Sequence, residues 1–206
     1  MSFSSSPAFD DFLGVMTADL TRDKLLIFHG CSGSGKSHYL RQLTEHPSFI
    51  NHEPSWFYSD PKRDGNVRSV RNPGAPRLAL VDELTRVQEL TGLAGLLRRF
   101  DAVAVATHLN PRWYSLFQLT WKTRVFQTDK DHGKIVRYLT SLGYEVNDED
   151  VRAMCSRYGA SYDTADIIRK HHEHEDFSEC WERFRRFAQL GSRPHPDCRH
   201  WRLRFD

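Results

Sequence analysis

The chain has 206 residues and a mass of 24.0 kDa, room for one domain and a small second one but not for a large multi-domain assembly. Hydrophobic residues at 39% and charged residues at 27% exclude a disordered chain. A mean hydropathy of −0.62 and the shortness of the apolar runs at 78–81 and 102–106 exclude a membrane-spanning helix. The net charge of +2 names no nucleic-acid or membrane partner by itself. Four cysteines over this length do not read as a disulfide framework. Residues 1–9 show neither a basic nor an apolar region of a secretory signal, so the expected compartment is the cytoplasm.

Phe9, Phe12, Leu13, Met16 and Leu20 recur at helical spacing and predict a leading amphipathic helix over 9–20. Five strand candidates follow. The segment 25–29 ends at Gly30, 56–59 at Asp60-Pro61, and 78–81 at Asp82-Glu83. The segment 102–106 ends at Thr107-His108, and 124–127 at Thr128-Asp129. Continuous apolar strands with helical patterns between them predict a parallel sheet buried on both faces. The helices fall over 37–43, over 84–99 with Leu84, Val87, Leu90, Ala94 and Leu97 on one face, and from Asn110-Pro111 to about residue 119.

Beyond residue 130 the strand signals cease and short helices remain. Ile135, Tyr138, Leu139 and Leu142 form one stripe, closed by Gly143. Asn147 and Asp150 cap a second, with Val151, Met154, Cys155 and Tyr158 inward and Gly159 after it. Ser161 starts a third, through Ala165, Ile167 and Ile168. A fourth runs from about residue 176 with Phe177, Trp181, Phe184 and Ala188 inward, closed by Gly191. The expected fold class is α/β: a parallel five-stranded sheet flanked by helices over 1–130, then a small helical domain over 131–206.

Gly30-Cys31-Ser32-Gly33-Ser34-Gly35-Lys36-Ser37 fits G-x-x-x-x-G-K-S/T at every fixed position. Glycines let the backbone wind around phosphates with its N–H groups inward, and the following helix adds a positive dipole end. Lys36 would reach the β- and γ-phosphates, and Ser37 would supply a hydroxyl to Mg²⁺. At average composition such a fit is expected in fewer than about one chain in a hundred of this length. A strand directly before and a helix directly after complete the context.

The segment 77–83 is an apolar strand ending in two carboxylates, Asp82 and Glu83. Acidic residues also favour a helix N-terminus, so the pair gains its meaning from the phosphate loop upstream. Here the chain resembles the Walker B motif of P-loop ATPases that carry an extra glutamate. The resemblance implies that Asp82 holds Mg²⁺ through water and that Glu83 polarises the attacking water. A P-loop kinase must keep water from the γ-phosphate, whereas an ATPase needs a base beside it; Asp82-Glu83 leans toward hydrolysis.

Over about residues 24–170 the chain thus resembles the P-loop NTPases of the additional-strand, catalytic-glutamate division. The resemblance implies ATP with Mg²⁺ and a P-loop NTPase sheet. It makes Thr107 a polar strand tip beside the γ-phosphate that orients water, against the plainer reading of a threonine satisfying a turn. His108 is either a nucleotide contact, as in ATP-binding-cassette proteins, or a turn residue.

Within the division, 131–170 looks like the helical lid of AAA+ proteins. The run Ala106-Thr107-His108-Leu109-Asn110-Pro111-Arg112-Trp113 looks like the sensor region of small helicase-loader and transposition-helper ATPases. Arg124 lies where AAA+ proteins often place the arginine finger that reaches a neighbour's γ-phosphate, which implies a homo-oligomer with nucleotide at its subunit interfaces. Its other reading is an arginine flanking an edge strand. Two departures stand out. Ser161-Tyr162-Asp163-Thr164 occupies the place of the usual lid arginine, with Arg169 more than a turn late, and the step from Asp82 to Thr107 is short. A cassette ATPase would require an L-S-G-G-Q loop, which is missing between Gly35 and Asp82. Packaging ATPases share the size and the Walker pair, but their sensor glutamine is missing. The small AAA+ type is the best resemblance, implying an ATPase that drives assembly or remodelling of a macromolecular partner. The alternatives are a nucleotide-gated switch with little hydrolysis, a cassette- or packaging-type ATPase, and a P-loop kinase.

Residues 61–76 lack apolar periodicity and carry Lys62, Arg63, Arg68 and Arg71 against Asp64. A segment this long is usually functional or disordered. Residues 183–206 hold seven arginines against two aspartates. Glu179–Arg183 and Glu182–Arg186 account for two of them as surface pairs. The rest, with the 61–76 cations, would meet DNA, RNA or a protein partner, or be a solvated tail. His171, His172, His174, Cys180, His195, Cys198 and His200 fit no ordinary zinc spacing; a polar linker is the better reading.

Overall fold

The computed structural model describes residues 11–58, 75–172 and 176–190. They form two compact units, 11–128 and 129–190. The expected α/β fold class, with an all-parallel five-stranded sheet, flanking helices and a helical C-terminal region, is what the structure shows.

The first unit is built on strands β1 (Leu25–His29), β2 (Glu53–Tyr58), β3 (Arg77–Leu84), β4 (Ala102–Thr107) and β5 (Thr123–Gln127). Every pairing is parallel and the spatial order is β2-β3-β4-β1-β5. Four of β1's five residues and all of β4 are buried, which explains why both read as unbroken apolar runs. One face of the sheet packs Leu25, Ile27, Val81, Val103 and Val105 against Leu93, Leu96 and Leu97 of the helix after β3. On alternate residues the sheet presents Phe28, stacked on Tyr39 of the helix after β1 at 5.4 Å and on Phe126 at 5.1 Å. Each such fully buried side chain contributes about 1.5–3 kcal/mol. Pro54 sits on the edge strand β2, where its missing N–H costs no ladder bond.

The connecting helices are α1 (Lys36–Gln42), α2 (Leu90–Arg99) and α3 (Ser115–Gln118). Three expectations need correction. Residues 11–20 form turns, not a helix. The Asp11 carboxylate takes the amides of Val15 and Met16 at 2.9 and 2.8 Å, and Gly14 stands at φ 62°, outside the helical region. Val15 and Leu20 are nonetheless fully buried, while Phe12, Leu13 and Met16 are only half-buried, so the apolar spacing does not mark one inward face. The helix expected over 84–99 begins later, because Leu84 still belongs to β3 and Val87–Glu89 is a 3-10 turn. Its inward face is accordingly Leu93, Leu96 and Leu97, with Val87 exposed. Asn110 does cap the next segment, accepting from the Arg112 amide at 3.0 Å, but that segment is a 3-10 turn over Pro111–Tyr114 and a single turn of α3.

The second unit holds α4 (Gly133–Ser141), α5 (Asp148–Tyr158), α6 (Tyr162–His172) and α7 (Phe177–Leu190). Asn147 caps α5 through the Glu149 amide at 2.9 Å, and Gly143 and Gly159, at φ 87° and 79°, close α4 and α5. Ser161 accepts from the Thr164 amide at 3.2 Å and so opens α6. Ile135, Leu139, Val151, Met154, Ala165, Ile168, Phe177, Cys180 and Trp181 make one core. The Lys134 ammonium lies 4.9 Å over the Tyr162 ring. Tyr138 donates to Asp166 at 2.6 Å, and Arg169 pairs with the same carboxylate at 2.7 Å. Glu182–Arg186 and Glu179–Arg183 are surface ion pairs at 2.8 and 3.9 Å, as the spacing predicts. Lys62, Arg63, Arg68, Arg71 and the arginines beyond residue 190 lie outside the described residues. Among the described residues no helix is long and apolar enough to cross a membrane, and no three His, Cys, Asp or Glu side chains group as a metal site.

Candidate functional site

The site gathers at the C-terminal ends of the parallel strands. β1 ends at His29, the chain turns through Gly30 to Gly35, and α1 begins at Lys36. Gly33 and Gly35 have φ of 68° and 93°, values that L side chains rarely adopt, so these two glycines are what lets the loop close on itself. Ser34 is fully buried. Its hydroxyl donates to Cys31 O at 2.8 Å and shares a 2.6 Å hydrogen bond with Thr128 Oγ1. Thr128 in turn donates its amide to His29 O at 2.8 Å, and its hydroxyl, 3.1 Å from the same carbonyl, is left to donate to Ser34. The loop is therefore tied to the end of the neighbouring strand β5.

Lys36 is 7% exposed, with its ammonium folded into the loop, donating to Gly30 O at 3.0 Å and Cys31 O at 2.6 Å. A strongly hydrated ammonium takes such a place only with acceptors at hand, and an anion at the loop would offer better ones. Ser37 Oγ donates to Asp82 Oδ1 at 2.8 Å, although the two are 45 residues apart in the chain. Asp82 is buried at 8% exposure. A hydroxyl and a carboxylate side by side form a hard oxygen pair of the kind Mg²⁺ takes, its other positions being left to phosphate and water.

Glu83 is the one non-glycine residue with positive φ among the described residues, at 60°. For an L residue this costs about 1–2 kcal/mol. The cause is a register shift. β3 pairs with β4 evenly up to Val81↔Val105, then Leu84 pairs with Thr107, so β3 carries one extra residue there. The bulge leaves the Glu83 side chain exposed while its flanks, Asp82 and Leu84, are buried. Thr107, fully buried, donates its hydroxyl to Leu84 O at 2.7 Å and accepts from the Leu109 amide and the Tyr114 hydroxyl, each at 2.9 Å. Burial raises the Tyr114 phenol pKa far above its ordinary value, the Thr107 hydrogen bond only partly opposing this, so Tyr114 remains a donor.

The structure thus brings Gly30, Cys31, Ser32, Gly33, Ser34, Gly35, Lys36 and Ser37 together with Asp82, Glu83 and the end of β4, where half-buried His108 follows Thr107. It does not bring Arg124 to them. Arg124 is the second residue of β5, in register with Leu26, near the opposite ends of the strands. Its guanidinium pairs with buried Asp23 at 2.8 Å and donates to Asp19 O at 3.1 Å. Thr128, Tyr114 and Glu89 escaped the sequence reading. Thr128 stood at a recognised strand end, which was its only signal; nothing in the pattern marks Tyr114 or Glu89.

No protein-family model and no curated protein matches the chain. Among solved structures it is similar to a DNA replication initiation factor, at 15% identity over 80% of this chain and 59% of that one, with a TM-score of 0.47. It is also similar to the cytoplasmic domain of the Thermomonospora curvata type VII secretion ATPase EccC, at 13% identity over 57% of this chain and 20% of that one, TM-score 0.34. A chain of an E. coli HORMA:CdnC:Trip13 complex is similar at 13% identity over 90% of this chain and 79% of that one, TM-score 0.43. The chain thus spans 59% of the first and 20% of the second.

Proposed function

We propose that this protein is a Mg²⁺-dependent ATPase of the P-loop type. The observation that carries the reading is the convergence at the C-terminal end of the sheet of a glycine loop holding an ammonium, a Ser37–Asp82 oxygen pair and an exposed glutamate. The position of β4 between the phosphate-loop strand and the acid strand fits the additional-strand division. Gly30 to Gly35 would surround the phosphates with backbone amides, and Lys36 would exchange its two carbonyl acceptors for phosphate oxygens. Ser37 and Asp82 would hold Mg²⁺, which supplies positive charge at the phosphates when bound. Glu83, on the exposed apex of the bulge, would orient a water and accept its proton.

The finer reading is an AAA+-like ATPase that drives assembly or remodelling of a partner, with the cations of 61–76 and the C-terminal arginines as its contact with nucleic acid or protein. A nucleotide-gated switch with little hydrolysis is the second reading, and the ion pair that occupies Arg124 supports it. The test is calorimetry with ATP on wild type and Lys36→Ala, with phosphate release measured in parallel. Lys36→Ala should weaken binding on the order of 10- to 100-fold, the scale of a charge-assisted contact. Equal affinity would overturn the phosphate-loop reading. Binding without release would leave the switch.

A further inference from the structure

The bulge that exposes Glu83 is held from both sides, by Asp82 and Thr107 of the expected site and by two residues outside it, Tyr114 and Glu89. Upstream, Asp82 Oδ1 accepts from the Glu83 amide at 3.1 Å. Downstream, Thr107 grips Leu84 O, and Tyr114 grips Thr107. Beyond that, the buried carboxylate of Glu89 accepts from the amides of Thr85 and Arg86, at 3.0 and 3.1 Å through one oxygen. Four consecutive residues, Glu83 to Arg86, are thereby fixed through their backbone. The Glu83 carboxylate itself makes no hydrogen bond or ion pair among the described residues. A left-handed glutamate persists only where its surroundings over-determine it.

We propose that Glu89 and the Tyr114–Thr107 hydroxyl pair are positioning residues that clamp the bulge and so aim the Glu83 carboxylate. This rests on the reading of Glu83 as the hydrolytic base. The hydroxyl of Thr107 has its donor committed to Leu84 O and accepts from two further groups, so its effect on a reacting water passes through Glu83. Glu89 acts the same way one step further along the chain, its two amide contacts keeping it from relaxing into a regular strand. Tyr114 keeps Thr107 in the rotamer that reaches Leu84.

The experiment compares Thr107→Val, Thr107→Ser, Tyr114→Phe and Glu89→Ala, each alone and in a Glu83→Gln background. ATP affinity, kcat and amide hydrogen exchange are measured for each. Thr107→Val and Glu89→Ala should lower kcat on the order of 10- to 100-fold, the scale of a small misplacement of a reacting group. ATP affinity should stay within about 2-fold, because no phosphate contact is touched. Thr107→Ser should retain activity, and in the Glu83→Gln background the losses should vanish. The amides of Thr85 and Arg86 should exchange faster in Glu89→Ala, and that of Glu83 in Thr107→Val, with β1 unchanged. Tyr114→Phe keeps the buried ring and should show a smaller version of the Thr107→Val effect, which covers a Thr107→Val chain that fails to fold. Losses of equal size with and without Glu83 would mean that Thr107 acts on water directly and would overturn the proposal. Unaltered exchange over residues 83–86 would overturn it too. The exchange readout needs no turnover, so a wild type that binds ATP without hydrolysing it defeats the ATPase reading alone.

Discussion

Ser37 and Asp82 are joined by a 2.8 Å hydrogen bond from the hydroxyl to Oδ1, across the end of the sheet. The same oxygen accepts the Glu83 amide at 3.1 Å, so one carboxylate touches both the phosphate loop and the strained glutamate. Asp82→Asn keeps an acceptor oxygen for both donors, removes the charge and turns the second oxygen into a donor that cannot ligate the metal. The expected outcome is loss of the Mg²⁺-dependent part of ATP affinity, on the order of 10- to 100-fold. ATP affinity measured in EDTA should be unchanged. Titrating the variant with ATP at graded Mg²⁺ checks this; a Mg²⁺ dependence equal to wild type would remove Asp82 from the metal site.

Glu83 at φ 60° predicts a trade between stability and turnover. Glu83→Gly relieves about 1–2 kcal/mol of backbone strain and adds about 0.5–1 kcal/mol of unfolded-state entropy. The net expectation is a gain of between zero and about 1.5 kcal/mol in denaturant unfolding, together with loss of phosphate release. Glu83→Gln keeps the strain, so it should match wild type in stability and in ATP binding while turnover falls on the order of 10²-fold or more. A Glu83→Gln variant that releases phosphate at the wild-type rate would show that the base is elsewhere.

The strands were legible because β1, β3 and β4 are buried on both faces and must be apolar throughout. The phosphate loop was legible because its glycines, lysine and serine are dictated one by one by backbone geometry and charge. What escaped was set by particular contacts, some between distant strands and some between side chains and nearby backbone. The bulge at Glu83 depends on how β4 meets β3, and a sequence carries no mark of a one-residue register shift. Residues 11–20 have helical spacing, yet a carboxylate at Asp11 and a turn at Gly14 override it. Tyr114 and Glu89 look like an ordinary core aromatic and a helix-start acid until the fold brings their oxygen atoms to Thr107 and to the amides after Leu84.

Arg124 is committed to Asp23, and this predicts a stability role. The Asp23 side chain is 1% exposed and has Lys122 as a second, longer partner at 3.5 Å. Arg124→Ala would leave a buried carboxylate with that partner alone. Breaking a fully buried pair costs about 3–5 kcal/mol; with Arg124 one-third exposed and Lys122 remaining, about 1–2 kcal/mol is expected in denaturant unfolding. Arg124→Lys should recover part of it. An unchanged unfolding midpoint in Arg124→Ala would free this arginine for a neighbouring subunit's phosphate.

In the helical unit the Tyr138–Asp166–Arg169 cluster predicts a pH dependence at both extremes. Burial pushes the Asp166 carboxyl upward, but hydrogen bonds from Arg169 and Tyr138 outweigh it and hold the pKa below its ordinary 3.8. Burial and the Asp166 hydrogen bond push the Tyr138 phenol up to about 12. A carboxyl depressed in the folded state contributes stability above 3.8 and loses it as pH falls through the folded value. A raised phenol contributes fully below 10 and loses its share as pH rises from 10 toward about 12. The helical unit should therefore be most stable on the plateau between these limits. Amide protection of α4 and α6, corrected for intrinsic exchange, should fall below pH 3.8 in wild type. It should fall less steeply in Asp166→Asn, whose protection starts lower because the charge that Arg169 and Lys170 face is gone. Tyr138→Phe should flatten the alkaline limb and soften the acid one in part, because one of the hydrogen bonds that hold the Asp166 pKa down is gone while Arg169 keeps its own. Identical acid limbs in wild type and Asp166→Asn would show that this carboxylate does not couple protonation to the packing of α4 on α6.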